Sequence, residues 1–148
     1  MALVSVGLEL EQWVKAPVDD VYAVLSDPSQ ITVLHPLIER VTVTFRDSSR
    51  VDVELFEQVP FGPFKVPNRY QASFLFQPEA PRKLRLRGMS FPKVVVSTEF
   101  TLEPLNDGTR VVERLEVAAL FGLQGFVAKT AVEAHRKQLE NLAKHFAR

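Results

Sequence analysis

Along residues 3–14 apolar and polar side chains alternate. Val4, Val6, Leu8, Leu10 and Val14 fall on one parity, and Ser5, Glu9 and Glu11 on the other. A period of two marks a strand with one face buried. Lys15-Ala16-Pro17 ends it. Pro17 suits the first position of a helix, where a missing N–H leaves nothing unpaired. Asp19 and Asp20 follow in the first turn, where the helix dipole favours negative charge. Val18, Val21, Tyr22 and Leu25 share a face. Asp27-Pro28 is a second start signal, a capping side chain followed by proline, and Ile31 and Leu34 are the apolar residues after it. His35-Pro36 closes this helix. His35 reads as a surface or hinge residue.

Six further strands are predicted at 37–45, 50–59, 65–77, 82–88, 93–104 and 109–120. Their breaks are Asp47-Ser48-Ser49, "VPFGPF", "PEAP", "MSFP" and "NDG". This spacing predicts an antiparallel meander. From Gly125 to Ala147 the period changes to that of an amphipathic helix, with Ala128, Val132, His135, Leu139, Leu142 and Phe146 at spacings of 4, 3, 4, 3 and 4. Glu133–Lys137 and Glu140–Lys144 are spaced as solvent-side pairs. The order of elements predicts an α+β fold. A seven-stranded curved antiparallel sheet wraps the long C-terminal helix, and the two short helices after the first strand lean on the sheet's end and on that helix. Helices shorter than about 12 residues are marginal alone in water, so they need these supports.

The chain has 148 residues, which suits a single domain over 1–148 with a full core. Lys plus Arg and Asp plus Glu number 18 each, so no global field favours nucleic acid. Lys83, Arg85 and Arg87 alternate with leucines, but Glu99 and Glu103 on the next strand share their face and balance them. There is no cysteine, which removes disulfides and thiolate chemistry and fits a cytoplasmic location. The apolar N-terminus lacks a basic leader and contains Glu9 and Glu11, so a signal peptide is not expected. No stretch approaches the ~18 apolar residues of a membrane span, so integral membrane association is not expected. His35, His135 and His145 have no partners at metal-ligand spacing, so neither a metal nor another cofactor is expected.

"KAPVDDVYAVLSDPSQITVLHPLIERVTV" resembles the opening of the START-like, or SRPBCC, superfamily, which includes polyketide cyclase/dehydrases and lipid-transfer domains. Ala16-Pro17, Val21-Tyr22, Leu25, Asp27-Pro28 and His35-Pro36-Leu37 carry the resemblance, with the late "DGTRVVERLEV" and the terminal helix. It implies a helix-grip fold whose sheet and long helix enclose an apolar cavity.

Strand parity places Asn68, Tyr70 and Phe74 on one inward face, Val96 and Phe100 on a second, and Glu113 and Leu115 on a third. The long helix offers Ala128, Ala131, Val132, His135 and Leu139. Its N-terminal half is built from small residues, which leaves space beneath residues 127–135. These twelve residues are the candidate ligand wall. Among them His135, Tyr70 and Glu113 are the acid/base candidates, because a carboxylate or imidazole in an apolar cavity is tuned for proton transfer. The bland alternatives are that His135 bonds a backbone carbonyl or a tyrosine, and that Glu113 pairs at the rim. Phe61 and Phe64, between prolines and a glycine, suit a gate or a partner contact. The leading functional expectation is a carrier of a small hydrophobic molecule, lipid, polyketide or quinone-like. A polyketide cyclase/dehydratase-like enzyme and a protein-interaction adaptor are the alternatives. Ligand identity, catalysis and oligomeric state stay open on the sequence.

Overall fold

The structure, a computed structural model, describes residues 3–79, 81–90 and 94–147. Seven strands, β1 (Leu3–Val14), β2 (Ile38–Arg46), β3 (Arg50–Phe61), β4 (Phe64–Gln77), β5 (Arg82–Ser90), β6 (Val94–Leu105) and β7 (Gly108–Leu120), form one sheet. Its order is β1-β7-β6-β5-β4-β3-β2, and every neighbouring pair is antiparallel. The meander runs as expected, with β1 added at the β7 edge. Residues 91–93, in the expected "MSFP" break and at the head of the expected fifth strand after β1, lie outside the described residues. So does Ala80 in "PEAP".

The "VPFGPF" stretch differs from its reading as an apolar loop. β3 and β4 stay paired through Val59↔Val66, Pro60↔Lys65 and Phe61↔Phe64, and only Gly62 and Pro63 turn. Gly62 takes the left-handed conformation that this tight turn needs, φ 61°. Among the described residues β2 pairs β3 no further than Glu57. The tip therefore runs beyond β2, where Pro60 deprives no outer strand of a donor.

At "NDG" the turn residues are Asn106 and Asp107, both with positive φ (50° and 62°), which matches a type I′ hairpin. Gly108 serves a different need. A Cβ there would collide with the Val14 carbonyl and the Trp13 ring. Trp13 lies across this glycine and donates its Nε1–H to the Leu105 carbonyl at 2.8 Å.

The short helices are α1 (Val18–Leu25) and α2 (Ile31–Leu34), the latter entered through a 3₁₀ turn at Pro28–Gln30. Asp27 caps that turn, accepting from the Ser29 amide at 3.0 Å. Tyr22 on α1 fastens this layer to the sheet. Its hydroxyl donates to the Lys83 carbonyl at 3.0 Å and accepts from the Gln77 amide at 3.1 Å. α2 packs on β2 and on the long helix α3 (Gln124–His145). Asn141 of α3 donates to the Leu34 carbonyl at 2.8 Å, closing the last turn of α2.

α3 lies over β1 and β7, not over the middle of the sheet. Val21, Leu25, Phe74, Leu84, Leu102 and Leu142 fill the space beneath α1 and α2 as one core. Each such side chain contributes roughly 1.5–3 kcal/mol when fully buried. The outer face of the sheet is polar. Glu99 pairs with Lys83 (3.5 Å) and Arg85 (2.9 Å), as its parity predicts, whereas Glu103 pairs with Arg110. On α3 the expected Glu133–Lys137 and Glu140–Lys144 pairs do not form, and Lys137 approaches Glu140 at 3.7 Å.

Candidate functional site

With one end of the sheet filled beneath the short helices and α3 set over β1 and β7, the inner face of β3–β6 is left partly uncovered. A cavity of about 490 Å³ occupies this space. Side chains from α2, from β2 to β6 and from the N-terminal two-thirds of α3 line it, and most are apolar.

Asn68, Tyr70, Val96, Phe100, Ala131 and His135, all expected from parity or helix spacing, lie on the wall. Phe74, Leu115, Ala128 and Leu139 do not. They are buried in packed regions. Phe74 and Leu139 belong to the main core cluster, and Leu115 and Ala128 are on β7 and α3, elements that pack on each other. Val132 is half-buried off the wall. Val127, Ala134 and Gln138 of α3 line the cavity beside the expected Ala131 and His135, so the wall is offset from the apolar period. The apolar period marks the face that packs on the sheet, and the cavity lies beside that face, about 100° round the helix.

Glu113 is fully buried, and its Oε2 is 2.5 Å from Nδ1 of His135. It reaches the cavity only through that histidine. β7 supplies the carboxylate by keeping its inward parity without a bulge, and α3 supplies the ring. The contact orients the imidazole. His135 Nε2 has no protein partner and is not among the fully enclosed unpaired atoms, so the cavity reaches it. The bland expectations for these two residues, a carbonyl or tyrosine partner for His135 and a rim partner for Glu113, are not what the structure holds.

His35 is corrected outright. It is 7% exposed, lines the cavity and stands edge-on to His135, with ring centroids 5.5 Å apart at 86°. Its Nδ1 accepts the Leu37 amide at 3.3 Å, so the proton of the neutral ring sits on Nε2. Burial, with the neighbouring imidazole as a smaller cause, pulls its pKa down to about 3. It is a neutral donor in the site.

Glu57 was not anticipated either. It lines the wall from β3 and accepts from Asn68 Nδ2 at 3.0 Å. Burial raises its pKa, against the lowering pull of Asn68 and of His135. Burial, reinforced by the Glu57 charge, also pushes the Tyr70 hydroxyl far above its usual range, which keeps it a neutral donor. The Tyr70 ring fits because β5 has glycine opposite it: a Cβ on Gly88 would be 3.1 Å from that ring. Glu57 sits on a strand whose parity was legible, but nothing near it in sequence marked that face as a cavity wall.

At the mouth, Phe61 stands edge-on to Phe126 of α3, with centroids 5.4 Å apart at 77°. Both line the cavity, whereas Phe64, 70% exposed, does not. No described helix is long and apolar enough to cross a membrane.

A family model described as polyketide cyclase / dehydrase and lipid transport matches residues 6–147. No curated protein matches the chain. Among solved structures, the Zhui aromatase/cyclase from Streptomyces sp. R1128 superposes with a TM-score of 0.81 at 19% identity, covering 96% of this chain and 93% of that one. A protein from Thermus thermophilus gives 0.77 at 20% identity, covering 94% and 95%. The STAR-related lipid transfer protein from Xanthomonas axonopodis gives 0.72 at 19%, covering 96% and 86%. At these identities the likeness is one of fold, the helix-grip arrangement of sheet and long helix.

Proposed function

This chain belongs to the polyketide cyclase/dehydrase and lipid transport family, and we propose that it binds a small hydrophobic molecule in the cavity between its sheet and α3. One observation carries this reading: a space of about 490 Å³ with mostly apolar walls and a few convergent polar groups. Interiors otherwise pack near a density of about 0.75, so a void of this size is costly unless something occupies it. Its volume is that of a small-molecule site. The ligand's apolar body would lie against Leu55, Val96, Phe100 and Ala131. Its polar end would meet His35, Tyr70, Glu57 and His135. Native mass spectrometry of protein purified from its own host tests the reading. A co-purifying molecule of a few hundred daltons, released on denaturation, is expected. Protein that is unliganded and fails to take up a neutral apolar dye would exclude it.

A second reading, acid/base catalysis on such a ligand, is supported by the Glu113–His135 contact. A buried carboxylate behind an imidazole fixes the ring and stabilises the imidazolium. His135 Nε2 could then take a proton from a carbon flanked by carbonyls, and Tyr70 or His35 could donate to the developing enolate oxygen. Glu113→Gln should then lower turnover of a poly-β-ketone substrate by about 10² or more. Unchanged turnover, or none in the unsubstituted protein, leaves the binding role alone.

A further inference from the structure

Unpaired acceptors lie on and behind the cavity wall. Gln138 is 5% exposed and lines the wall, yet its Oε1 has no protein partner. Glu113 Oε1, enclosed behind His135, has none either. Glu57 uses Oε1 to accept from Asn68 and keeps Oε2 free. Donors face the same space: Nε2 of His35, the Tyr70 hydroxyl, the hydroxyls of Ser90, Thr98 and Thr130, and the Gln138 amide nitrogen.

The charged side chains of the wall are one-sided. Among the described residues that line the cavity, none is Lys or Arg. Arg40 and Arg69 both stack on the Phe56 ring, whose parity is opposite to that of the wall residues Leu55 and Glu57. His35 is neutral. Glu57 is the only carboxylate among the described lining residues, and Glu113 stands behind His135. A buried acceptor without a donor costs free energy, and a ligand that donates relieves the cost. A ligand carboxylate would add a like charge where the effective dielectric is low.

We infer that the cavity selects a hydrophobic molecule whose polar end is a protonated amine, with Glu57 as counter-ion and Gln138 as a further acceptor, and that it rejects the matching carboxylate. This rests on the proposed binding role. It deepens that role by assigning the chemistry of the ligand's polar end.

Calorimetric titration at neutral pH with three probes of one skeleton tests it: 2-(2-naphthyl)ethylamine, 2-(2-naphthyl)ethanol and 2-naphthylacetic acid. The amine should bind at least about fivefold more tightly than the acid, since like-charge juxtaposition is strongly disfavoured. Glu57→Gln should close most of that gap. The ratio measured on the unsubstituted protein decides by itself if the variant fails to fold. A smaller ratio, or a gap that survives in folded Glu57→Gln, overturns the inference. Binding of the alcohol separates the two failures: if it binds while the amine shows no preference, the cavity is a ligand site without this selectivity. If none of the three binds, the inference and the binding role fall together.

Discussion

Of the buried polar residues, His135 and Glu113 hold each other in place across 22 positions of sequence. Each was legible alone, Glu113 by strand parity and His135 by breaking an apolar stripe. Their contact was not, because it depends on how α3 sits over β7. His35 was illegible for a stronger reason. Its environment comes from α3, about 100 residues away, and a histidine before proline carries no local signal of burial. Its protonation gives a pH test. An unfolded histidine titrates near 6.5, and here the folded value is about 3. The unfolded chain thus takes up a proton that the folded one refuses. Stability from this group is complete above ~6.5 and is lost as pH falls towards 3, at about 1.4 kcal/mol per pH unit. Glu57 acts in the opposite sense, because a raised folded pKa favours the native state at low pH. A variant comparison isolates His35. His35→Asn keeps an acceptor for the Leu37 amide and cannot titrate. Urea unfolding between pH 7 and 5 should show a shallower loss of stability in this variant. Equal slopes would mean that His35 is protonated in the folded protein.

At the scale of elements, the strands and α3 were largely legible, since period-two and 3.6-residue patterns report which face is buried. The boundaries of the β3–β4 hairpin were not. Its prolines and glycine read as a loop, yet the ribbon needs donors on one side only and tolerates them. On α3 the cavity wall keeps the expected Ala131 and His135 but has Ala134 and Gln138 in place of Ala128, Val132 and Leu139, for a related reason. Packing against a sheet demands large side chains at regular spacing, whereas a cavity wall of Ala131 and Ala134 leaves almost no hydropathy signal. The hairpin tip and α3 meet at the mouth through Phe61 and Phe126. An edge-to-face pair adds only about 0.5–1.5 kcal/mol, little enough to open thermally. We propose this pair as the gate. Phe126→Ala should raise both association and dissociation rates of a neutral apolar dye in stopped-flow measurements, with little change in their ratio. Unchanged rates would remove the gate. An oligomeric complex lost in Phe61→Ser or Phe64→Ser would instead identify the tip as a protein contact, since Phe61 is 58% exposed and Phe64 more so.

For the whole molecule, the placement of one helix decides everything else. α3 rests on β1 and β7, and α2 is tied to it through Asn141. The sheet face from β3 to β6 cannot be reached by the same helix, so it is either filled by side chains or left as space. Under α1 and α2 large residues fill it. Under the N-terminal half of α3 the residues are small, and Gly88 and Ala72 across the sheet are small too, so it stays open. Ala131→Leu tests whether that space is a binding volume. Ala131 is half-buried on the cavity wall. The three added carbons would enter apolar space, so the melting temperature should hold or rise, each buried methylene contributing roughly 0.8 kcal/mol. The same carbons would occupy the volume a ligand needs, so binding of a neutral apolar dye should fall sharply. If the walls close in solution, the substitution overpacks them instead and costs about 1–3 kcal/mol. A lower melting temperature with dye binding unchanged would therefore place ligand binding elsewhere on the protein, and would show that the sheet and α3 pack tightly at this end.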